Sequence, residues 1–220
     1  MALAFSYSAI KDFQNCPRKY HVVRILKQFK QAESTAMLYG TQVHKAFELY
    51  ITDGTPLPEH FAHYQKFVEP LTKIKGEIKC ELKLGITADF KPCEFFAKDV
   101  WFRGLPDYLV LNHETGAARV VDFKTGKSSR YADTSQLELM AAMIMIHYPS
   151  VNAVKGMLLF VVADDAVKAE FTREQLPTIL SKWAGEASMI EAAVDSGVWN
   201  AKSSGLCKFC PVASCEYHRS

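Results

Sequence analysis

Residues 105–124 read Leu105-Pro106-Asp107-Tyr108-Leu109-Val110-Leu111-Asn112, then His113-Glu114-Thr115-Gly116, then Ala117-Ala118-Arg119-Val120-Val121-Asp122-Phe123-Lys124. Two β-rich runs flank a polar turn, and Gly116 supplies a turn conformation that other residues reach only at a cost. The pattern predicts an antiparallel hairpin. Pairing Asn112 with Ala117 sets Asp107 opposite Asp122, with Cβ atoms roughly 5 Å apart. Lys124 lies two residues beyond Asp122 and so shares its face. Opposed carboxylates repel unless a cation lies between them. An oxygen-rich site of this kind suits Mg²⁺ or Mn²⁺. An isolated Asp-x-Lys would read more simply as a solvated pair on the outer face of a sheet.

The chain has 220 residues, enough for one large domain with a real core. Hydrophobic residues make up 49%, which excludes disorder as a global state. The net charge is +2, so a nucleic-acid partner would need a local basic groove rather than a generally basic surface. The apolar run Leu137 to Ile146 is too short to span a bilayer and contains Glu138, so no membrane association is expected. The first ten residues carry no basic region ahead of an apolar stretch, which argues against a secretory signal. A reducing, cytoplasmic setting is therefore expected for the six cysteines.

Working outward, Ser8 is expected to cap a helix running to about Lys27, broken or kinked at Pro17. Arg18, Lys19, Arg24, Lys27 and Lys30 make it basic, as a solvated face or a phosphate-binding wall. A helix over about 36–52 places Gly40, Val43, Phe47 and Ile51 on one face, with His44 and Glu48 at its edge. Gly40 costs helix stability and signals a close backbone approach. A polar helix over about 59–75 and a strand over 77–84 follow, the latter with Ile78, Cys80, Leu82 and Leu84 on one face. Past the hairpin, Thr125 to Tyr131 forms a polar, basic loop. Its Lys127, Arg130 and Tyr131 suit phosphate contact and base stacking, and read equally as an ordinary loop. A buried helix to about His147, a central strand over 153–163, a partner over 166–171 and a helix from a Thr172–Gln175 capping box to about Ser196 complete the pattern.

Pro106-Asp107 followed by Asp122-Phe123-Lys124 resembles the PD-(D/E)XK nuclease superfamily and, within it, the RecB-like exonucleases. The resemblance implies that Asp107, Asp122 and the Phe123 carbonyl hold a divalent metal and that Lys124 assists the attacking water. Gly40-x-x-x-His44-x-x-x-Glu48 is similar to a helix motif of the same group, which implies a metal-site role for His44 with Glu48 near it. On an inward helix face a lone histidine is more often a hydrogen-bonded core residue. Gln136 matches the glutamine of a Gln-x-x-x-Tyr motif that points into the active site; Met140 stands where the tyrosine would be. Glu81 is similar to an acidic residue on the first strand of some members, and reads equally as solvent-facing.

Cys207-x-x-Cys210-x-x-x-x-Cys215 offers three thiolates, one short of a four-ligand site, and Cys16 is the obvious fourth. Cys16-Pro17-Arg18-Lys19-Tyr20 resembles the N-terminal cysteine motif of iron–sulfur RecB-like nucleases, the CRISPR-associated and AddB-type enzymes among them. That implies a 4Fe–4S cluster. The ligands alone suit zinc as well, and unligated thiols are the third option. The expectation is thus an α/β fold, a mixed central β-sheet flanked by helices with a restriction-endonuclease-like core, its N- and C-terminal segments joined by a cysteine-ligated cluster. It forms one domain over 1–220, with a helical segment at about 29–75 and a cluster-binding segment at about 200–220. The function implied is a Mg²⁺- or Mn²⁺-dependent deoxyribonuclease, an exonuclease acting on DNA that is single-stranded or has free ends. The rival is a non-catalytic DNA-binding or scaffold subunit that keeps the fold and the cluster.

Overall fold

The computed structural model describes residues 3–29 and 34–218. Lys30 of the basic segment, and with it residues 30–33 of the expected helical segment at about 29–75, lie outside the described residues. The chain forms two compact units, one of residues 1–4 and 33–180, the other of 5–32 and 181–220.

The first unit opens with α3 (Thr35–Asp53), capped by the Ser34 hydroxyl and closed by left-handed Gly54. A 3₁₀ turn, Glu59–Tyr64, leads into α4 (Gln65–Thr72), so the expected single helix over 59–75 is two pieces. A five-stranded sheet follows, built from β1 (Glu77–Cys80), β5 (Tyr108–Asn112), β6 (Ala117–Lys124), β7 (Ala153–Phe160) and β8 (Asp165–Thr172), in that spatial order. Only β6 and β7 run parallel, joined through α5 (Ser135–His147). The remaining pairs are antiparallel, so the sheet is mixed. A second, three-stranded sheet holds β2 (Leu84–Thr87) between β3 (Pro92–Cys93) and β4 (Val100–Gly104).

The hairpin register is the one read from the turn: Asn112 pairs with Ala117 and Tyr108 with Val121, and Gly116 takes φ +64°. α3 and α4 cover one side of the large sheet. Val43, Phe47, Val68 and Leu71 pack with Tyr108, Val110, Val121 and Phe123 in one cluster. α5 is buried from Leu137 to Met145 save Glu138. A helix apolar on nearly every side needs neighbours all round. α5 has them in β7 and in the small sheet, where His147 Nε2 meets the Gly85 carbonyl at 2.7 Å.

The expected strand over 77–84 is broken. Glu81 takes φ +50°, which ends β1 and sends Leu84 into the other sheet. Alternation of Ile78, Cys80, Leu82 and Leu84 continues through the break because the pattern reports facing, not backbone direction.

In the second unit, α1 (Tyr7–Asn15) is capped by the Ser6 hydroxyl, which accepts from the Ala9 amide at 3.3 Å; Ser8 falls inside the helix. The break falls at Cys16, and Pro17 starts α2 (Pro17–Tyr20) at a position where its missing N–H costs nothing. A π-helical turn, His21–Ile25, follows. α6 (Leu176–Ser196) buries Trp183, Ala187 and Ile190, and Trp199 stacks on His21 with ring centres 4.4 Å apart.

Candidate active site

Asp107 sits one residue before β5, where the hairpin register brings it level with Asp122. Its two oxygens are used separately. Oδ2 accepts the Phe123 amide at 2.7 Å, and Oδ1 faces His44 Nδ1 at 3.2 Å. One carboxylate thereby ties the hairpin to α3. His44 comes from the middle of α3, and the face that carries it is brought in by Gly40: a Cβ built on Gly40 would stand 3.2 Å from Thr125 Oγ1. A larger residue there would push α3 away from the strand end that carries Lys124.

Glu81 completes a group that spacing alone did not single out. Ligand atoms of His44, Glu81 and Asp107 all lie within 4.8 Å of one another. The left-handed backbone at Glu81 is what turns its side chain from the strand into the site, while its amide bonds the Asp107 carbonyl at 3.3 Å. The acidic resemblance at Glu81 was the one available signal; the alternation pattern placed it toward solvent.

Asp122, Lys124 and Gln136 form the adjoining half. Lys124 Nζ lies 2.6 Å from Asp122 Oδ2 and donates to Gln136 Oε1 at 2.8 Å. The Gln136 amide donates in turn to Asp122 Oδ1. Gln136 reaches this place from the first turn of α5, as its motif implied. Asp122 is 7% exposed, and its Oδ2 is paired with the Lys124 ammonium. Glu48 stands at the edge, bonded to Lys45 at 2.8 Å. His44, Lys45, Glu48, Glu81, Leu105 and Asp107 line a cleft of about 700 Å³.

The electrostatics are those of a site short of positive charge. Burial, then the Asp107 charge, raises the Asp122 carboxyl above its ordinary range despite Lys124. Burial and Asp107 likewise raise Glu81. Burial lowers the affinity of His44 for a proton, but the bond to Asp107, the charges of Asp107 and Asp122 and a backbone bond to Phe123 outweigh it, so the imidazole is raised. Three carboxylates and an imidazole that faces them fit a hard divalent cation in their donor chemistry.

The remaining sequence candidates fall elsewhere. Arg130 lies over the Tyr131 ring, which is 85% exposed, with Lys127 in the same loop. Arg18 in the second unit bonds Glu216 at 2.5 Å, and Lys19 is exposed nearby in sequence. Cys16, Cys207, Cys210 and Cys215 are free thiols, each partly exposed. Among the described residues no three of their sulfurs lie within 4.8 Å of one another. Their segments are nevertheless tied: Arg18 donates its amide to the Asn200 carbonyl and Lys202 its ammonium to the Gln14 carbonyl. The Ser204 amide points at Cys207 Sγ at 3.3 Å.

The sequence pattern of the PD-(D/E)XK nuclease superfamily matches residues 4–74 and 64–215. The chain belongs to that superfamily. It is a nuclease, and the second matched stretch contains Asp107, Asp122 and Lys124. Among solved structures, a candidate exonuclease from Eubacterium rectale is 15% identical, with 98% of this chain and 88% of that one covered and a TM-score of 0.58. This likeness concerns the fold. SSO0001 is 14% identical over 99% of this chain and 87% of that one, with a TM-score of 0.48. No curated protein matches the chain.

Proposed function

We propose that this nuclease hydrolyses DNA phosphodiester bonds with Mg²⁺ or Mn²⁺, acting from the ends of single strands. The observation that carries the reading is Asp107, which meets His44 and the Phe123 amide while Glu81 stands within ligand distance of both side chains. Asp107, Glu81, Asp122, His44 and the Phe123 carbonyl would hold the cation. A bound divalent cation there supplies Lewis acidity and a water of lowered pKa.

The chain's own groups do the rest. Lys124 sets its ammonium toward the incoming water and the phosphate, where it offsets the charge that develops on the phosphoryl oxygens. Gln136 bonds both Asp122 and Lys124, so it fixes the distance between acid and base. Glu48 holds Lys45 at the cleft edge, leaving a cation beside the path of the phosphate backbone. Lys127, Arg130 and Tyr131 extend that path from the strand end that carries Lys124. The exonuclease description of the Eubacterium rectale protein and the RecB-like motifs support action on ends.

We also assign the four cysteines to a structural 4Fe–4S cluster. Free thiols on two tied segments, with an amide directed at one sulfur, are the donor set and the kind of sulfur-directed hydrogen bond such a centre uses. Zinc is the competing occupant. The deciding assay compares end-labelled linear and circular single-stranded DNA with Mg²⁺, Mn²⁺ and EDTA. Cleavage of the linear strand alone, with metal, is expected. Cleavage of circles would replace the exonuclease reading by an endonuclease one, and no cleavage under any metal would leave a scaffold.

A further inference from the structure

Away from the metal-ligand group, the small sheet carries an unusual surface. Phe96 is 71% exposed, more than any other phenylalanine described save Phe209. Lys83 Nζ lies 5.4 Å from its ring centre and the Arg103 guanidinium 5.5 Å. Phe95 packs edge-on against it with centroids 4.9 Å apart, and Arg103 also lies 5.4 Å from the Phe95 ring. Arg103 Nε is buried and has no hydrogen-bond partner. Most of Phe96 stays open to solvent, and the two cations lie over its ring at the long end of cation–π distance.

The surface is continuous with the cleft. Leu84 pairs with Gly104 and Gly85 with Arg103. Extending that register by one step sets Lys83 level with Leu105, which is 40% exposed and lines the cleft. Lys83 is two residues from Glu81 of the metal-ligand group, and Arg103 two residues from Leu105. The strands β2 and β4 therefore lead outward from the cleft to the Phe96 ring.

We infer that Phe96, flanked by Lys83 and Arg103, is a stacking platform for one base of the single-stranded DNA whose backbone enters the cleft. The inference rests on the nuclease reading above and adds to it a binding position. An aromatic face accepts any base, and adjacent cations take the phosphates on either side, which is the chemistry of sequence-tolerant single-strand binding. A duplex keeps its bases stacked on each other and offers no free face to the ring. The platform would therefore favour single strands.

The test uses a fluorescein-labelled single-stranded oligonucleotide and anisotropy in EDTA, with a series of oligonucleotides carrying one abasic position at successive places. Phe96→Ala is expected to weaken binding about tenfold, within the range of one lost base–aromatic stack, while Phe96→Trp keeps it. One abasic position should reproduce that loss in the wild type and add nothing in Phe96→Ala. Hydrolysis of a small chromogenic phosphodiester, too short to reach the platform, should be equal in both. Unchanged affinity in Phe96→Ala, or an abasic loss that persists undiminished in it, would overturn the platform while leaving the nuclease assignment intact. A wild type without affinity for single strands would overturn the platform together with the single-strand reading it rests on.

Discussion

Around Asp107 the functional groups hang on backbone that is itself paired. Phe123 and Lys124 pair with Leu159 and Phe160 of β7, the Phe123 amide is held on the other side by the Asp107 carboxylate, and the Lys124 carbonyl accepts from Val161 at 3.0 Å. His44 comes from the middle of a 19-residue helix, and Gln136 from a buried one. Around Cys207 the thiols sit on a three-residue 3₁₀ turn and the loops beside it, and the fourth, Cys16, on the break between two short helices. Unlike charges and carboxylates are brought together by register in the first region. In the second, tied segments leave sulfurs unassembled. A site built on paired strands is positioned by the fold, whereas a site on turns depends on its ligand to position it. Chemistry should therefore fail without unfolding in one region, and folding should fail without direct loss of chemistry in the other.

The sharpest way to break this contrast is Lys124→Ala. Turnover is expected to fall about a hundred- to a thousandfold, as for loss of one charge-stabilising donor, with single-strand affinity and melting temperature near wild type. A comparable fall in binding would reduce Lys124 to a phosphate contact. Asp107→Asn is expected to be as inactive, with partial recovery at high Mn²⁺, and calorimetry with Mn²⁺ should show weakened binding; wild-type metal affinity would separate Asp107 from the metal.

The opposite half of the contrast is tested by Cys16→Ser and Cys207→Ser. A ligand joining these residues closes a loop of nearly the whole chain, for which a chain-entropy estimate borrowed from disulfides gives about 5 kcal/mol. Both variants should lose iron and brown colour and melt at lower temperature, yet turn over normally well below their transition. Cys80→Ser should keep the colour, since burial pushes the Cys80 thiol up to about 11 and disfavours the thiolate a cluster needs. Zinc without iron after anaerobic purification would exchange the cluster for a single ion.

Gln136→Ala should sharpen the picture on a smaller scale. It removes both bonds that hold Asp122 and Lys124 in place, so we expect turnover down about tenfold with KM little changed. Rescue by Gln136→Glu is not expected, because a carboxylate can accept from Lys124 but repels Asp122.

The smallest effect concerns pH. Burial and Asp107 raise Asp122, so in metal-free protein the folded state binds its proton more tightly than the unfolded chain. Stability from this residue is then greatest at low pH and declines as pH rises from about 4 through the folded pKa. Asp122→Asn lacks that decline. The variant's stability minus that of the wild type should therefore grow with pH in EDTA, and flatten when Mg²⁺ is present. A flat difference in EDTA would mean Asp122 is not strained by its neighbours.

Much of this was legible from residue types. Turn chemistry at Asn112 to Gly116 set the hairpin register, and with it the level of Asp107 and Asp122. Gly40 inside a helical pattern signalled a close approach by backbone, and the neighbour there is the Thr125 side chain. The nearly uninterrupted apolar run of α5 announced a helix with neighbours on all sides. Other features were not legible, for particular reasons. Nothing in the residue type of Glu81 signals a left-handed backbone, so an apparently continuous strand hid both the change of sheet and the residue that joins His44 and Asp107. Two serines two residues apart are equally good caps by type, and only the tertiary position of the helix selects Ser6. The 3₁₀ turn before α4 depends on how Phe61 and Tyr64 pack, which periodicity does not record.

Glu81 pays for its position in backbone energy. A non-glycine residue in the left-handed region costs about 1–2 kcal/mol, and here the cost falls on a residue facing another carboxylate. Glycine at 81 would relieve both terms while deleting the side chain. The expected product is a protein that is harder to melt and unable to cut, so that selection for robustness alone would erode this site from its first strand. On the function proposed above, activity rather than folding would keep a glutamate there.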